Sequence, residues 1–393
     1  MRRLVAVGML VLITLLLAPV PAGAENAEVR TEDIINGQVE KLDLKEVRSF
    51  LDQLDNDTGE YLPSLSFSNL LQNIRQGKLP LNLKDILAGL TRFFFNEVLK
   101  NSSLLGKLVI LAVVCAVLQN LQTGFGEGGS GQLAHGVCYL VLLTIAAASF
   151  TAAIGIGRET IDRMVTFMQV MLPVLLTLLT AVGGFTSAAL FHPVLVVAVS
   201  VMGTVIKNIV FPLIFFGAIL GVVSHVSERF KVTRLASLFK DIGVGVLGVS
   251  LTVMIGIITI QGVAGSVADG VALRTAKFMT GAFVPVVGGM LSDAVEAVVG
   301  CSLLLKNTLG MLGALAIFVI CIFPVLKLVA MMLIYRIAAA LIQPIGDPGL
   351  AESLQTIAGY LTLVFAAVAS AGVMLFLMTT AIVGAGNLTV MLR

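Results

Sequence analysis

Beyond residue 103 the sequence is a succession of apolar runs separated by short polar breaks, at 104–122, 136–156, 164–183, 188–206, 209–226, 242–264, 309–334 and 357–384. Each approaches the roughly 20 residues that a helix needs to cross about 30 Å of hydrocarbon. Membrane barrels show alternating ten-residue segments instead, and a lipid-immersed backbone must satisfy its own hydrogen bonds, so the runs predict helices. The expected class is all-α: a polytopic integral membrane protein with about eight transmembrane helices. Two further pieces, 278–291 and 294–305, are too short to cross separately, and Pro285, Gly288 and Gly289 interrupt them. A re-entrant hairpin over 278–305 fits, packed in protein or lining a wet cavity, because irregular backbone is not tolerated against lipid.

Residues before 104 follow a different pattern. Arg2 and Arg3, an apolar core from Leu4 to Leu17, then Pro19, Pro21 and Ala22-Gly23-Ala24 read as a secretory signal peptide over 1–24. Residues 25–103 then form a small extracytoplasmic helical region. Within it Leu44, Val47, Phe50, Leu51 and Leu54 recur on one helix face. A second helix is expected over "SFSNLLQNIRQ" and a third from Asn82 to Lys100, after Pro80. Phe93, Phe94 and Phe95 would suit a membrane interface. The remainder, 104–393, is the polytopic domain.

Composition and charge agree with this division. Of 393 residues, 58% are hydrophobic and 12% charged, against roughly 45–50% and about 25% in soluble domains. The segment 25–100 holds 22 of the 48 Asp, Glu, Lys and Arg residues. A net charge of +2 with no basic run gives nucleic-acid binding no support. Five crossings counted from an outside residue 100 put the loop 227–241 in the cytoplasm. Its Arg229, Lys231, Arg234 and Lys240, set against Glu228 and Asp241, agree with the positive-inside rule. By the same count "RETIDR", 158–163, would lie outside, its two arginines balanced by two acids.

Most motifs carry little chemistry. Cys115, Cys138, Cys301 and Cys321 fall within apolar runs, without CxxC spacing, and read as buried small hydrophobes. His135, His192 and His225 are far apart and lack acidic or cysteine neighbours at ligand spacing, so no metal is expected. "GFGEGGSG", 124–131, matches GxGxxG but follows a membrane helix rather than a strand, and reads as a loop. Neither GxxxxGK[ST] nor GxSxG occurs. The expectation is a chain with no enzymatic activity, no catalytic residues and no cofactor. Gly217-x-x-x-Gly221 would let two helices approach closely.

What stands out is charge inside the apolar region. Asp293 and Glu296, three apart, share a helix face, and Lys306 and Lys327 are their candidate partners. An ionised group at membrane depth costs at least about 2.5–3.5 kcal/mol, so it faces a bundle interior, a wet cavity or a partner charge. Asp293, Glu296, Lys306 and Lys327 are therefore expected either to line a polar conduit or to form a buried ion network. Both remain open. Together with a faint internal echo between "FMQVMLP" and "FMTGAFVP", they also allow a permease for a small solute.

Finally, "SVADGVALRTAKFMTGAFVPVVGGMLSDA" (266–294), "SLLLKNTLG" (302–310), "FHPV" (191–194), "SERFKVTRLA" (227–236) and the terminal "GNLTVMLR" (386–393) resemble the stage III sporulation protein AE family of endospore-forming bacteria. The likeness covers nearly all of 90–393 and, more loosely, the segment before it. It implies a protein of the mother-cell membrane around the engulfed forespore, a non-enzymatic component of a sporulation-specific secretion or feeding channel needed after engulfment. The implied partners are the other stage III A-operon proteins, among them an AA subunit similar to secretion ATPases, and indirectly the forespore's stage II sporulation protein Q. The family has no established catalytic residues, so the resemblance assigns none. A pure membrane scaffold for the other subunits is the remaining alternative.

Overall fold

The computed structural model describes residues 42, 44–62, 83–125, 129–226, 232–283, 288–344 and 348–391, and the regular structure among them is helical throughout. In chain order the helices are α1 Lys45–Thr58, α2 Leu83–Lys100, α3 Ser102–Phe125, α4 Gly129–Ala181 and α5 Phe185–Val205. A π-helical turn at Ile206–Val210 leads into α6 Phe211–Val226, followed by α7 Thr233–Phe283, α8 Gly288–Ile342 and α9 Pro348–Met391. The signal peptide and the helix expected over "SFSNLLQNIRQ" lie outside the described residues.

Among the described residues six helical stretches are long and apolar enough to cross a membrane: Lys84–Leu118, Tyr139–Ala181, Phe185–His225, Thr233–Ala272, Val298–Ile342 and Pro348–Asn387. They are fewer than the eight runs read from the sequence because charged breaks do not end the helices. Residues 158–163 are helical, in the middle of α4. There Arg163 pairs with Glu159 one turn back at 3.1 Å and with Asp57 of α1 at 2.9 Å, and Asp162 accepts a hydrogen bond from Lys207 in the π turn. Charges neutralised sideways leave the backbone ladder intact. The runs 136–156 and 164–183 therefore share one helix, and 188–206 continues into 209–226 through the π turn. The hairpin expected over 278–305 is likewise divided: 278–283 ends α7 and 288–305 begins α8, with 284–287 outside the described residues. Pro173, Pro193 and Pro324 all sit inside helices, which packed membrane helices tolerate.

The bundle is organised around α9. Leu350, Leu354, Ile357, Leu361, Val364, Val368, Ala371, Leu375, Met378, Ile382 and Ala385 are all buried. Their alternating steps of four and three residues keep one stripe facing inward along the whole helix. α9 packs most extensively on α8 and also meets α4, α6 and α7. Close approach to α6 depends on the glycine pair noted above: a methyl on Gly217 would lie 2.8 Å from the Tyr360 ring, and one on Gly221 would lie 2.9 Å from Thr356 Cγ2. The Tyr360 hydroxyl passes through to donate to the Ala236 carbonyl at 3.0 Å. α4 and the α5–α6 pair run antiparallel, with Gln169 donating to Ser200 at 3.2 Å and Phe150 stacked on Phe215.

α1 docks by the face that its periodicity predicts. Leu44, Val47, Leu51 and Leu54 are buried, and the Phe50 ring lies 5.0 Å from that of Phe167 on α4. The phenylalanine trio of α2 divides. Phe93 turns inward, edge-on to Phe323 at 4.7 Å and to Tyr61 at 5.0 Å, while Phe95 is exposed and is the one that fits an interfacial role.

Candidate functional site

All four charged residues singled out in the sequence fall on α8. The side chains of Asp293 and Glu296 lie outside the described residues, but the helix fixes their spacing. Lys306 follows them by 13 and 10 residues, about 20 and 15 Å at 1.5 Å per residue, and Lys327 by 34 and 31, about 51 and 46 Å. An ion pair needs about 4 Å or less. Along one continuous helix the two acids and the two lysines therefore stand too far apart to pair directly with one another. Lys306 and Lys327 themselves stand about 31 Å apart, at the two ends of a stretch, 307–326, that contains no Asp, Glu, Lys or Arg.

Lys306 is fully buried. Its Nζ donates to the Val383 carbonyl at 2.8 Å and lies 3.5 Å from Asn387 Oδ1. The carbonyl's second lone pair is free for this bond because the α9 ladder uses only one. Gly386 makes the room: a methyl there would overlap the ammonium. Beside it, Asn307 Oδ1 is enclosed with no hydrogen-bond partner among the described residues. Lys306 thus acts as a polar tie from α8 to α9.

A second buried charge escaped the sequence reading. α5 starts at Gly184, after Gly183 with φ 97°, and has no side-chain cap of its own. Asp269 of α7, 1% exposed, supplies one in trans. Its Oδ1 accepts from the Thr186 N–H at 2.7 Å and its Oδ2 from the Ser187 N–H at 3.0 Å. The first N–H groups of a helix lack intrahelical partners and carry partial positive charge, so a carboxylate is well matched there. Gly265, one turn before Asp269, allows the approach, since a methyl on it would lie 2.6 Å from Ser187 Oγ. No local signal announces this role, because the capped residues are more than 80 positions away.

Lys327 belongs to a third polar region, a cavity of about 600 Å³ bounded by α1, α2, α4 and α8. Asp57, Glu159 and Arg163 line it together with Lys327, over an aromatic floor of Phe50, Phe93 and Phe323. Among the remaining titratable groups, His225 ends α6 with Nδ1 2.7 Å from the Gly221 carbonyl and Nε2 3.5 Å from Glu352, a helix-end role. Cys115 and Cys301 are buried. Among the described residues no three His, Cys, Asp or Glu side chains gather as a metal site.

An all-helical bundle of long apolar helices, with single charges shut inside it and a polar belt across α4, defines a multi-pass integral membrane protein. Residues 65–386 match the family described as Stage III sporulation protein AE. The chain is also 39% identical over 383 residues to Stage III sporulation protein AE of Bacillus subtilis (strain 168), covering 96% of each. It belongs to the stage III sporulation protein AE family. No solved structure matches it.

Proposed function

We propose that this chain is a non-enzymatic component of a sporulation-specific secretion or feeding channel between mother cell and forespore, required after engulfment. In this reading it sits in the mother-cell membrane with residues 25–100 extracytoplasmic and residues 227–241, of which 233–241 begin α7, cytoplasmic. Family membership supports a role in sporulation, and the loop's basic residues support its side. Three long helices, over 84–118, 139–181 and 185–225, lead from the outer segment to that loop, so the odd parity of the five shorter runs is retained.

Helix length carries the proposal. α4 has 53 residues, about 80 Å, whereas a bilayer covers about 30 Å. With the loop at the cytoplasmic surface and the Arg158–Arg163 belt at the outer surface beside α1, the far halves of α4 and α5 stand beyond the lipid. They hold no Asp, Glu, Lys or Arg over 164–183 and 185–206, and they expose Phe185 (67%), Val197 (60%) and Val201 (52%). Apolar surface outside lipid calls for protein partners. This supports a subunit of a larger assembly with the other stage III A-operon proteins, including the AA secretion-type ATPase, and indirectly stage II sporulation protein Q. Deleting the gene in its spore-forming host is expected to arrest development after engulfment. Normal sporulation would overturn the reading.

One observation favours a second reading, a membrane scaffold: Lys306 is wholly enclosed and bonded across helices, as a tie rather than as the wall of a water path. Lys306→Met separates the two. Intact assembly with lost function supports the conduit, and lost assembly supports the scaffold.

A further inference from the structure

The cavity beneath α1 plays no part in the reading above. Its volume, about 600 Å³, falls within the ~300–1,000 Å³ of small-molecule sites, and four helices converge to form it. The floor is aromatic, with Phe93 and Phe323 edge-on at 4.7 Å. On the α1 and α4 side, Arg163 bridges Asp57 at 2.9 Å and Glu159 at 3.1 Å. One guanidinium between two carboxylates leaves one negative charge in surplus. These three side chains are each more than half exposed, so they stand at the mouth, where water keeps such pairs weak and exchangeable. On the α8 side, Lys327 lines the cavity and has no ion pair or hydrogen bond among the described residues.

The cavity is therefore neutral overall, with a net negative charge on the wall of Asp57, Glu159 and Arg163 and a positive charge on the α8 wall. Its complement is a ligand with both charges close together on an apolar body. We propose that this cavity binds a zwitterionic α-amino acid with an apolar or aromatic side chain. The carboxylate meets Lys327, the ammonium meets Asp57 and Glu159, and the side chain lies on the phenyl floor. A simple carboxylate leaves the acidic surplus facing it without a partner, and a simple amine is repelled by Lys327.

The proposal goes beyond the channel reading and does not depend on it. Its test is equilibrium binding of radiolabelled phenylalanine to the full-length protein in lipid nanodiscs, with empty nanodiscs as background and 3-phenylpropionate and phenethylamine as single-charge competitors. Saturable binding is expected, with each competitor at least tenfold less effective than unlabelled phenylalanine. Lys327→Gln should weaken binding at least tenfold with an unchanged thermal melt. Asp57→Asn, at the exposed mouth, gives an independent measure and should weaken it several-fold. Absence of saturable binding, equal competition by 3-phenylpropionate, or affinity unmoved by both substitutions would overturn the proposal. The sporulation phenotype of the deletion strain is a separate readout that none of these results affects.

Discussion

Lys306 and Gly386 are a matched pair: the ammonium occupies the space that any side chain at 386 would need. Gly386→Ala is expected to cost about 1–3 kcal/mol, the usual range for overpacking, seen as a lower thermal midpoint of the solubilised protein. Lys306→Met in the same background should recover at least half of that loss, because residues in direct contact couple in a double-mutant cycle. Equal losses in the single and double variants would contradict the contact. Asp269 allows a sharper test. Asp269→Ala strands one buried N–H donor on α5, that of Ser187, and one half-buried donor, that of Thr186, and an unsatisfied buried donor costs about 1–3 kcal/mol. Asp269→Asn keeps one acceptor and should lose less, so a melt equally lowered by both would argue against the capping role. Both residues show what a single sequence conceals. Their chemistry is set by partners more than 75 positions away, while their neighbours in sequence are ordinary apolar helix.

At the scale of elements, packing depends on where side chains are missing. Gly217 faces the Tyr360 ring, whereas Gly248 on α7 has open space around it. Gly217→Ala should therefore destabilise the α6–α9 contact by about 1–3 kcal/mol, while Gly248→Ala should stabilise its helix by about 0.5–1 kcal/mol. Matched melts of the two variants check this, and a shift of the same sign in both would contradict it. Periodicity exposed much of this level. The buried face of α1 is the one marked by Leu44, Val47, Leu51 and Leu54, and the GxxxG spacing of α6 does admit a neighbour. Helix ends were hidden because hydropathy reads Arg158 to Arg163 as a break, whereas pairing with Asp57, Glu159 and Lys207 keeps that stretch helical. The four charges of the apolar region look adjacent in sequence, yet one continuous helix spreads them over about 50 Å.

At the scale of the whole molecule, the six long apolar stretches among the described residues pack around α8 and α9 and carry a charged belt across α4, the π turn and α1. The belt divides α4 into two apolar halves, and the side on which each half lies decides which one meets lipid. The half that packs along α6 is assigned to the bilayer, and α1, with the cavity beneath it, to the outer surface. Site-directed labelling tests that arrangement most directly. In a cysteine-free background produced in vegetative cells, whose single membrane leaves the extracytoplasmic face open to the medium, a cysteine at Asp57 and one at Arg229 are treated on intact cells with a membrane-impermeant maleimide. The arrangement predicts reaction at position 57 from outside and at position 229 only after permeabilisation. Labelling of 229 on intact cells, or protection of 57 until the membrane is opened, would contradict it.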